Sequence, residues 1–439
     1  MRDGPTAFIE SLAARRRFGM RPGLDSIRSL CSRLGNPQDG LRAVHVAGTN
    51  GKGAVCAMLS AALCAAESME GRCAVGLYTS PHLLALNERF RIDGEPVDDA
   101  ELESAAKRVE EAVGQASETT FFEALTAVAF VIFAKRNPRW TVLECGLGGR
   151  LDATNICSPA ITVITRVGLD HCQWLGSTVE AIATEKCGII KPGVPVVLGR
   201  NDPSVRAVAE ARAAEVGAPF HYAPDEADES EIPADFSLAG KFNRENAVTA
   251  IAALKVLSRT SANPSSSNTS SFFLLPSSFL QLPSSFSRVV WPGRFQKVGN
   301  FIIDGAHNPP GAKALAEALD EAGLRDLNLI AGFCSDKDVS GVLSELKPVV
   351  KTAMAVRTGN SRSLTTAEAA AAMKSAGMDA SECSSLGEAV NAAGTHPTLI
   401  CGSLFLVGEA LEALGAYPWR LAGRDASEIL GTPAMDAKQ

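Results

Sequence analysis

The sequence predicts an α/β fold, and three observations support this. Short apolar runs of the kind buried in parallel sheets recur along the chain. Apolar stretches of helical length alternate with them, and a glycine-rich segment stands between the first strand and the first long helix. The predicted strands are 42–46, 73–77, 141–145, 161–165, 194–198, 301–304, 328–331, 352–356 and 398–401, and the predicted helices include 54–66, 98–113, 124–134 and 179–187.

The glycine-rich segment runs from His45 to Gly53 and reads HVAGTNGKG. Between a strand and a helix, such a turn points backbone N–H groups and the helix dipole at an anion, and its lysine reaches the terminal phosphates. We therefore predict a nucleoside triphosphate site. Its predicted binding residues are Asn50, Gly51, Lys52 and Gly53. His45 is interpreted as a packing residue of its strand and is left out of the site.

The match to a general phosphate-binding loop is imperfect. Gly48 lies three residues before Gly51, and Gly53 stands where a Ser or Thr normally follows the lysine. Ala54, one place later, also lacks the hydroxyl that would contact magnesium. A purely structural glycine turn is the alternative.

Composition and net charge disfavour several classes of partner and location. The chain of 439 residues predicts two or three domains, and its net charge of −7 disfavours a nucleic-acid partner. Eleven cysteines occur without a CxxC pair, which favours free thiols in a reducing compartment. The N-terminus shows no secretory signal pattern, and no apolar run reaches the roughly 20 residues of a membrane helix. We expect a cytoplasmic protein that has no membrane association.

The composition changes abruptly at residues 258–287, where Ser dominates and the pentad LPSSF occurs at 275–279 and again at 282–286. We interpret this stretch as a low-complexity insertion; its Phe and Leu content leaves a partner-binding role open. A second α/β pattern follows. We predict one domain over residues 1–290, insertion included, and a second over 291–439.

Further motifs follow the predicted strands or end a predicted helix. They are YTSPH at 78–82, ECGLGGRLDATN at 144–155, LDH at 169–171, TEKCGII at 184–190, IDGAHNP at 303–309 and GSLFLVGE at 402–409. With the glycine-rich segment, this ordered set resembles the folylpolyglutamate synthase/dihydrofolate synthase family of the Mur ligase superfamily. The resemblance covers nearly the whole chain apart from the Ser-rich insertion.

The resemblance implies a P-loop-type N-terminal Mur ligase central domain and a smaller, Rossmann-like C-terminal α/β domain. It implies an ATP-dependent ligase that forms a C–N bond through an acyl phosphate, with ATP and Mg²⁺ as cofactors. The expected reaction adds L-glutamate to dihydropteroate, to the γ-carboxylate of a reduced folate, or to both. We expect the enzyme to be a monomer.

The resemblance also implies roles for individual residues. The metal ligands would be Ser80, Glu144, His171 and an N-carboxylated Lys186; the catalytic residues Lys52, Lys186 and His307; and the further nucleotide contacts Asn246, Arg294 and Asp304. The acid substrate would contact Gly23, Leu24, Asp25, Thr120, Phe121, Phe122, Glu123, Leu151, Asp152 and Ala153. Ser80 would supply the hydroxyl that Ala54 lacks.

Other interpretations exist for each motif. A lone histidine is often structural, Lys186 on a helix would usually be solvated, and Asp152 begins an ordinary cap-and-turn sequence. At the level of the whole chain, one alternative is a degenerate ATP-binding relative without catalysis. Another is a peptidoglycan-precursor ligase, which we disfavour because about 45 residues precede the glycine-rich segment, too few for a further domain.

Overall fold

The computed structural model describes residues 23–69, 75–114, 119–261, 284–360 and 362–419. This part of the chain divides into two units. The first contains the described residues up to Pro81 together with Leu86–Ser237 and Arg244–Val289. The second contains His82–Ala85, Leu238–Asn243 and the described residues from Val290 onward.

The first unit is built on one eight-stranded sheet. Its strands are β1 (Ala43–Ala47), β2 (Val75–Tyr78), β3 (Phe90–Ile92), β4 (Glu95–Pro96), β5 (Trp140–Glu144), β6 (Pro159–Ile164), β7 (Val196–Leu198) and β8 (Phe220–Tyr222). They lie in the order β4-β3-β2-β5-β1-β6-β7-β8, in which β3 and β4 are antiparallel to their neighbours and the other pairs are parallel. The chain leaves β1 first to one side and later to the other. Open α/β sheets bind ligands at such a switch point, beyond the carboxyl ends of the strands.

Helices connect these strands. They are α1 (Asp25–Arg33), α2 (Lys52–Met69), α3 (Asp99–Val113), α4 (Phe121–Arg136), α5 (Cys172–Leu175), α6 (Val179–Cys187), α7 (Pro203–Val216), α8 (Ala223–Glu226) and α9 (Lys241–Ser261), whose first three residues belong to the second unit. In α4, every residue from Glu123 to Phe133 is buried. A helix that is apolar all round fits such a position, because it has no polar face to present to water.

The second unit carries a six-stranded sheet. Its strands are β9 (Gln296–Val298), β10 (Phe301–Ile303), β11 (Leu327–Ala331), β12 (Val350–Ala355), β13 (Asp379–Glu382) and β14 (Thr398–Cys401), and its helices are α10 (Pro309–Glu321), α11 (Val339–Leu346), α12 (Thr366–Ser375), α13 (Leu386–Ala393) and α14 (Leu404–Ala413). The order is β13-β12-β11-β14-β10-β9, parallel except for β9. The α/β prediction is confirmed for both units.

The structure adds elements that the sequence analysis did not predict. Strands β3, β4, β8, β9 and β13 are short or partly exposed, so they lack the continuous apolar run on which the prediction depended. Both ends of the predicted insertion are folded. Helix α9 continues to Ser261, and Phe286 is fully buried. Residues 262–283 lie outside the described residues, as do Cys73 and Ala74 in the predicted strand 73–77.

Candidate active site

The glycine-rich segment follows β1 at the switch point of the first sheet. Val46 is the register partner of Glu144 on β5, and Ala47 that of Ile164 on β6. The segment therefore emerges between the ends of two neighbouring strands. Helix α2 begins at Lys52, so its N-terminus faces the turn. This is the strand, glycine turn and helix arrangement that the sequence predicted.

Main-chain hydrogen bonds hold the glycine-rich segment in place. The N–H groups of Thr49 and Asn50 both donate to the carbonyl of Arg166, at 2.8 and 3.2 Å. The Thr165 hydroxyl donates to the carbonyl of Asn50 at 2.8 Å. Sequence analysis missed Thr165 and Arg166; a polar residue at the end of the buried run 161–165 was the available signal.

Two glycines in this segment are required by close packing. Gly51 has φ +85°, and a Cβ atom there would lie 2.2 Å from Oδ1 of Asn246. Gly48 has φ +153°, and a Cβ atom there would lie 1.9 Å from the Thr165 hydroxyl oxygen. Asn246, on α9, therefore lies against the turn, next to the other predicted nucleotide contacts of the first unit.

Ser80 and Glu144 are brought together. The main-chain N–H of Ser80 donates to Oε2 of Glu144 at 2.9 Å. Glu144 ends β5 and is buried, while Ser80 follows β2, and the register pairs Tyr78 with Leu143. The parallel strands thus place both residues at the same edge of the sheet. Glu144 is therefore a buried carboxylate and not a surface one.

Lys186 lies beneath the glycine-rich segment. Its ammonium group donates to the carbonyl of Gly48 at 2.8 Å, and the residue is only 3% exposed. Burial, and then the positive charge of Lys52, lower the pKa of Lys186 to about 7. The alternative of a solvated helix lysine is therefore wrong. Lys52 itself donates to the carbonyl of Thr49 at 3.2 Å.

The glycine-rich turn after β5 packs against the end of α6. A Cβ atom on Gly149 would lie 2.7 Å from the Lys186 carbonyl oxygen, so only glycine fits there. The N–H of Arg150 donates to the carbonyl of Glu185 at 2.7 Å, and its guanidinium pairs with the Glu185 carboxylate at 2.8 Å. The motifs at 144–155 and 184–190 are thus joined through their main chains.

Asp152 closes this turn from inside. Its Oδ2 accepts the N–H of Leu147 at 2.9 Å, and its Oδ1 accepts the N–H and the hydroxyl of Thr154 at 3.0 and 2.5 Å. Burial raises the pKa of Asp152, whereas these hydrogen bonds oppose the rise. The cap-and-turn interpretation of Asp152 describes what the structure shows. Its predicted contact with the acid substrate stays a prediction.

His45 belongs to the same buried network, a link that sequence analysis missed. Its Nε2 lies 2.8 Å from the Thr154 hydroxyl oxygen and 3.1 Å from the Cys145 sulfur. Burial lowers the pKa of His45 to about 3, so the ring is neutral near pH 7. No sequence signal joins residues 45 and 154, because they are distant along the chain.

The predicted substrate segment 120–123 forms a capping box at the start of α4. Thr120 accepts the N–H of Glu123 at 3.2 Å, and Glu123 accepts the N–H of Thr120 at 2.7 Å. The spacing Thr-x-x-Glu is the known signal of this motif. The ring centroids of Phe122 and Tyr78 are 6.2 Å apart. A Cβ atom on Gly146 would lie 2.4 Å from Cζ of the Phe122 ring. Phe122 therefore borders the turn after β5.

The remaining predicted substrate residues are dispersed along the first unit. Leu24 precedes α1, and Asp25 is its first residue; Gly23 has φ +143°. Phe121 lies under the guanidinium of Arg89, whose Cζ is 5.8 Å from the ring centroid. Arg89 is buried, and burial lowers its pKa despite the charge of Glu144. Sequence analysis missed this buried cation.

His171 lies on the segment between β6 and α6. This segment is tied to the glycine-rich turn because Thr49 and Gly168 exchange two hydrogen bonds, at 3.0 and 3.1 Å. His171 has φ +52°, and its Nε2 atom lies 3.8 Å from Oδ1 of Asp170. Among the described residues, no three His, Cys, Asp or Glu side chains cluster as a metal site. Only two of the four predicted ligands, Glu144 and His171, belong to these residue types; the other two are a serine and a modified lysine.

In the second unit, the predicted residues surround the end of β10. The Asp304 carboxylate accepts the N–H groups of Phe295 and Ala306, both at 2.8 Å, and burial raises its pKa. The guanidinium of Arg294 lies over Gly305, where a Cβ atom would be 2.1 Å from Nη1. His307 Nδ1 is 2.7 Å from the Gly305 carbonyl oxygen. These three residues therefore form one local cluster.

Comparisons with known proteins agree with this architecture. Residues 46–254 match the Mur ligase middle domain, and residues 293–399 match the Mur ligase, glutamate ligase domain. The fold and these two domain matches thus define a ligase of the Mur type. The predicted fold class is confirmed.

Curated relatives narrow the class. The chain is 32% identical to the Bacillus subtilis dihydrofolate synthase/folylpolyglutamate synthase over 76% of this chain and 81% of the relative. It is 33% identical to the Lacticaseibacillus casei folylpolyglutamate synthase over 88% and 93%, respectively. The chain belongs to the folylpolyglutamate synthase/dihydrofolate synthase family.

Solved structures show the same likeness. A Mycobacterium tuberculosis folylpolyglutamate synthase complexed with ADP has a TM-score of 0.80 and 27% identity, with 94% of this chain and 100% of that chain covered. An E. coli FolC in complex with DHPP and ADP has a TM-score of 0.80 and 28% identity, with 94% and 98% covered. The predicted enzyme, an ATP-dependent ligase that adds glutamate to a pteroate or folate acid, is confirmed. The ADP bound in both of these solved structures agrees with the predicted nucleotide cofactor, ATP. The comparisons therefore favour a ligase over the non-catalytic alternative.

No described helix has both the length and the apolarity that crossing a membrane requires. The ten cysteines in the described part of the chain are all free thiols.

Proposed function

We propose that this ligase binds ATP and activates its acid substrate at the carboxyl edge of the eight-stranded sheet. The observation that carries the proposal is the joint packing of three motifs there: the turn at 48–53, the turn at 144–155 and the helix end at 184–190. In this assignment Asn50, Gly51, Lys52 and Gly53 hold the triphosphate, with Asn246 beside them. Phosphoryl transfer depends mainly on positioning and charge stabilisation, which such a cradle supplies.

We assign the Mg²⁺ ligands to Ser80, Glu144 and His171. The fit is supported by the buried Glu144 carboxylate and the adjacent Ser80, because Mg²⁺ prefers oxygen ligands and keeps several waters. When bound, the ion neutralises charge on the phosphates. Glu144 and Ser80 hold their relative position through the hydrogen bond between them.

We propose that Lys186 becomes N-carboxylated. A neutral amine attacks CO₂ to form the N–C bond and releases one proton, leaving a carbamate anion. The low pKa of Lys186 supports this step, since about half of the amine is neutral near pH 7 and the neutral fraction rises with pH. At constant dissolved CO₂, reactivation of CO₂-depleted enzyme should therefore become faster as the pH rises through about 7. A rate independent of pH between 6 and 8 would contradict the assignment.

The acid substrate is assigned to the region around Phe122, which offers a stacking face beside Gly146. Lining contacts are proposed from Gly23, Leu24, Asp25, Thr120, Phe121, Glu123, Leu151, Asp152 and Ala153. In the second unit, Arg294 and Asp304 are assigned to the nucleotide and His307 to catalysis. Their clustering at the end of β10 supports a shared role.

We propose that the enzyme glutamylates both dihydropteroate and reduced folates. The names of the Bacillus subtilis and E. coli relatives, which state both activities, support this. The test incubates purified protein with ATP and glutamate plus either dihydropteroate or tetrahydrofolate monoglutamate, and measures ADP release and the glutamylated product. Turnover with both acids is expected. Turnover with one acid alone would overturn the dual assignment.

We further propose a cytoplasmic monomer with two domains, at 1–290 and 291–439. The free thiols support a reducing compartment, and the two units support the division. Light scattering coupled to gel filtration should give the mass of one chain, 46.0 kDa. A doubled mass would contradict the monomer.

A further inference from the structure

A buried series of side-chain hydrogen bonds lies next to the turn after β5. It consists of His45 on β1, the Thr154 hydroxyl and the Asp152 carboxylate, joined at 2.8 Å and 2.5 Å. His45 and Thr154 are fully buried, and Asp152 is 5% exposed. The proposed chemistry uses neither His45 nor Thr154.

The direction of the hydrogens in this chain can be deduced. Asp152 Oδ1 accepts the N–H of Thr154, and Oδ2 accepts the N–H of Leu147, so the carboxylate acts as an acceptor at both oxygens. The hydroxyl of Thr154 has one hydrogen, which points to Oδ1. Its oxygen then accepts a hydrogen from Nε2 of His45, which also lies 3.1 Å from the Cys145 sulfur. This order assigns the Nε2–H tautomer to His45, whose Nδ1 has no hydrogen-bond partner among the described residues.

The hydrogen bonds that join His45, Thr154 and Asp152 reach the turn beside the proposed acid site. Asp152 binds the N–H of Leu147, and the preceding Gly146 lies against the Phe122 ring. If Thr154 stops donating, Asp152 loses a charge-assisted hydrogen bond that fixes its orientation. The turn that borders Phe122 would then be free to shift.

The ATP side has separate anchors. The glycine-rich turn is fixed by the Thr165 hydroxyl and by the carbonyl of Arg166, neither of which contacts Asp152. A change at Thr154 should therefore reach the acid site and leave the triphosphate cradle in place.

We propose that His45 and Thr154 are positioning residues for the acid substrate, acting through Asp152 on the turn at 146–152. The inference rests on the proposed placement of the acid beside Phe122. It assigns a function to a histidine that would otherwise count as core packing.

The test compares KM for dihydropteroate with KM for ATP in matched variants. Thr154→Val removes the hydroxyl at nearly constant volume, and we expect KM for dihydropteroate to rise about tenfold while KM for ATP changes less than about twofold. Thr154→Ser restores the hydroxyl and should return KM to within about threefold of the parent. His45→Gln retains an N–H donor near the Nε2 position and should be milder than His45→Leu.

The control is Thr162→Val. Thr162 is the register partner of His45 on β6, is fully buried, and donates to the Pro195 carbonyl at 3.3 Å instead of to the turn. It should lower thermal stability without raising KM for dihydropteroate. An equal rise in KM for dihydropteroate in Thr162→Val, or an equal rise in KM for ATP in Thr154→Val, would overturn the proposal.

Two further measurements separate the possible failures. ¹⁵N NMR of the parent protein should show His45 protonated at Nε2 and unprotonated at Nδ1. The opposite tautomer would contradict the hydrogen-bond order from His45 through Thr154 to Asp152, whatever the kinetic results. Phe122→Leu tests the acid site itself. If Phe122→Leu leaves KM for dihydropteroate unchanged, the proposed function fails at that site, independently of the outcome at Thr154.

Discussion

Two glycine-rich turns lie at the ends of neighbouring strands, and they are stabilised differently. The turn at 48–53, after β1, is held by main-chain hydrogen bonds to Arg166, by the Thr165 hydroxyl and by two glycines with no room for a side chain. The turn at 146–150, after β5, also has a main-chain hydrogen bond, from Arg150 to Glu185, and a tightly packed Gly149, but it depends in addition on the buried carboxylate of Asp152, which accepts the N–H of Leu147.

The difference shows how each turn can be disturbed. Where backbone geometry holds a turn, an added methyl group is the damaging change. Where polar side chains hold it, loss of a donor or acceptor is more damaging, because a buried partner is left unsatisfied. Lys186 touches both turns: its ammonium binds the Gly48 carbonyl, and its own carbonyl lies against Gly149.

The largest expected effect comes from Lys186, where the two turns meet. Lys186→Met removes the proposed carbamate and should lower kcat by roughly 1,000-fold, since a metal-supporting anion contributes several kcal/mol to the transition state. The matched control is Lys191→Met. Lys191 is also a lysine with a lowered pKa, but it donates to the Asn155 carbonyl at 2.9 Å. Comparable losses of kcat in both variants would contradict a special role for Lys186.

The second prediction breaks the first turn through its backbone. Gly51→Ala places a Cβ atom 2.2 Å from Asn246 Oδ1, and the resulting shift should lower kcat/KM for ATP about 100-fold. Gly35→Ala is the control, because Gly35 has a similar φ of +82° and open space around it. That variant should cost about 1–2 kcal/mol of stability and leave kcat/KM unchanged. Equal kinetic effects would mean that backbone strain, and not the contact with Asn246, is responsible.

The third prediction addresses the second turn. Gly146→Ala places a Cβ atom 2.4 Å from the Phe122 ring, which can rotate away. We expect KM for dihydropteroate to rise about tenfold, with KM for ATP nearly constant. Gly40→Ala, at a position with nothing within 4 Å, should match the parent enzyme. A predominant effect on KM for ATP would show that the two turns are not independent.

The smallest effect is expected at the surface of the second turn. Arg150 and Glu185 form an ion pair at 2.8 Å, but the Arg150 side chain is 53% exposed. A double-mutant cycle with Arg150→Met and Glu185→Gln should give a coupling of about 0.2–1 kcal/mol by denaturant unfolding. A coupling above about 2 kcal/mol would indicate that this pair, too, anchors the turn.

The sequence predicted much of this fold because parallel strands are continuous apolar runs. The strands that meet at the site, β1, β2, β5 and β6, were all predicted, and the helix Val179–Cys187 was predicted to the residue. Edge strands such as β4 and β13 lack that pattern and were missed. The spacing Thr-x-x-Glu at 120–123 is a signal for a capping box, but the sequence analysis interpreted this segment only as a substrate contact.

The sequence by itself determined the family, the order of the strands along the chain and the glycine-rich turn between β1 and α2, because local pattern and motif order are properties of the chain. Only the tertiary structure decided that Lys186 is buried under Gly48 and that His45 reaches Asp152 through Thr154. The contacts Lys186–Gly48 and His45–Thr154 join residues more than 100 positions apart. Their energies depend on burial and on hydrogen-bond geometry, and both arise only when the sheet brings the ends of its strands together.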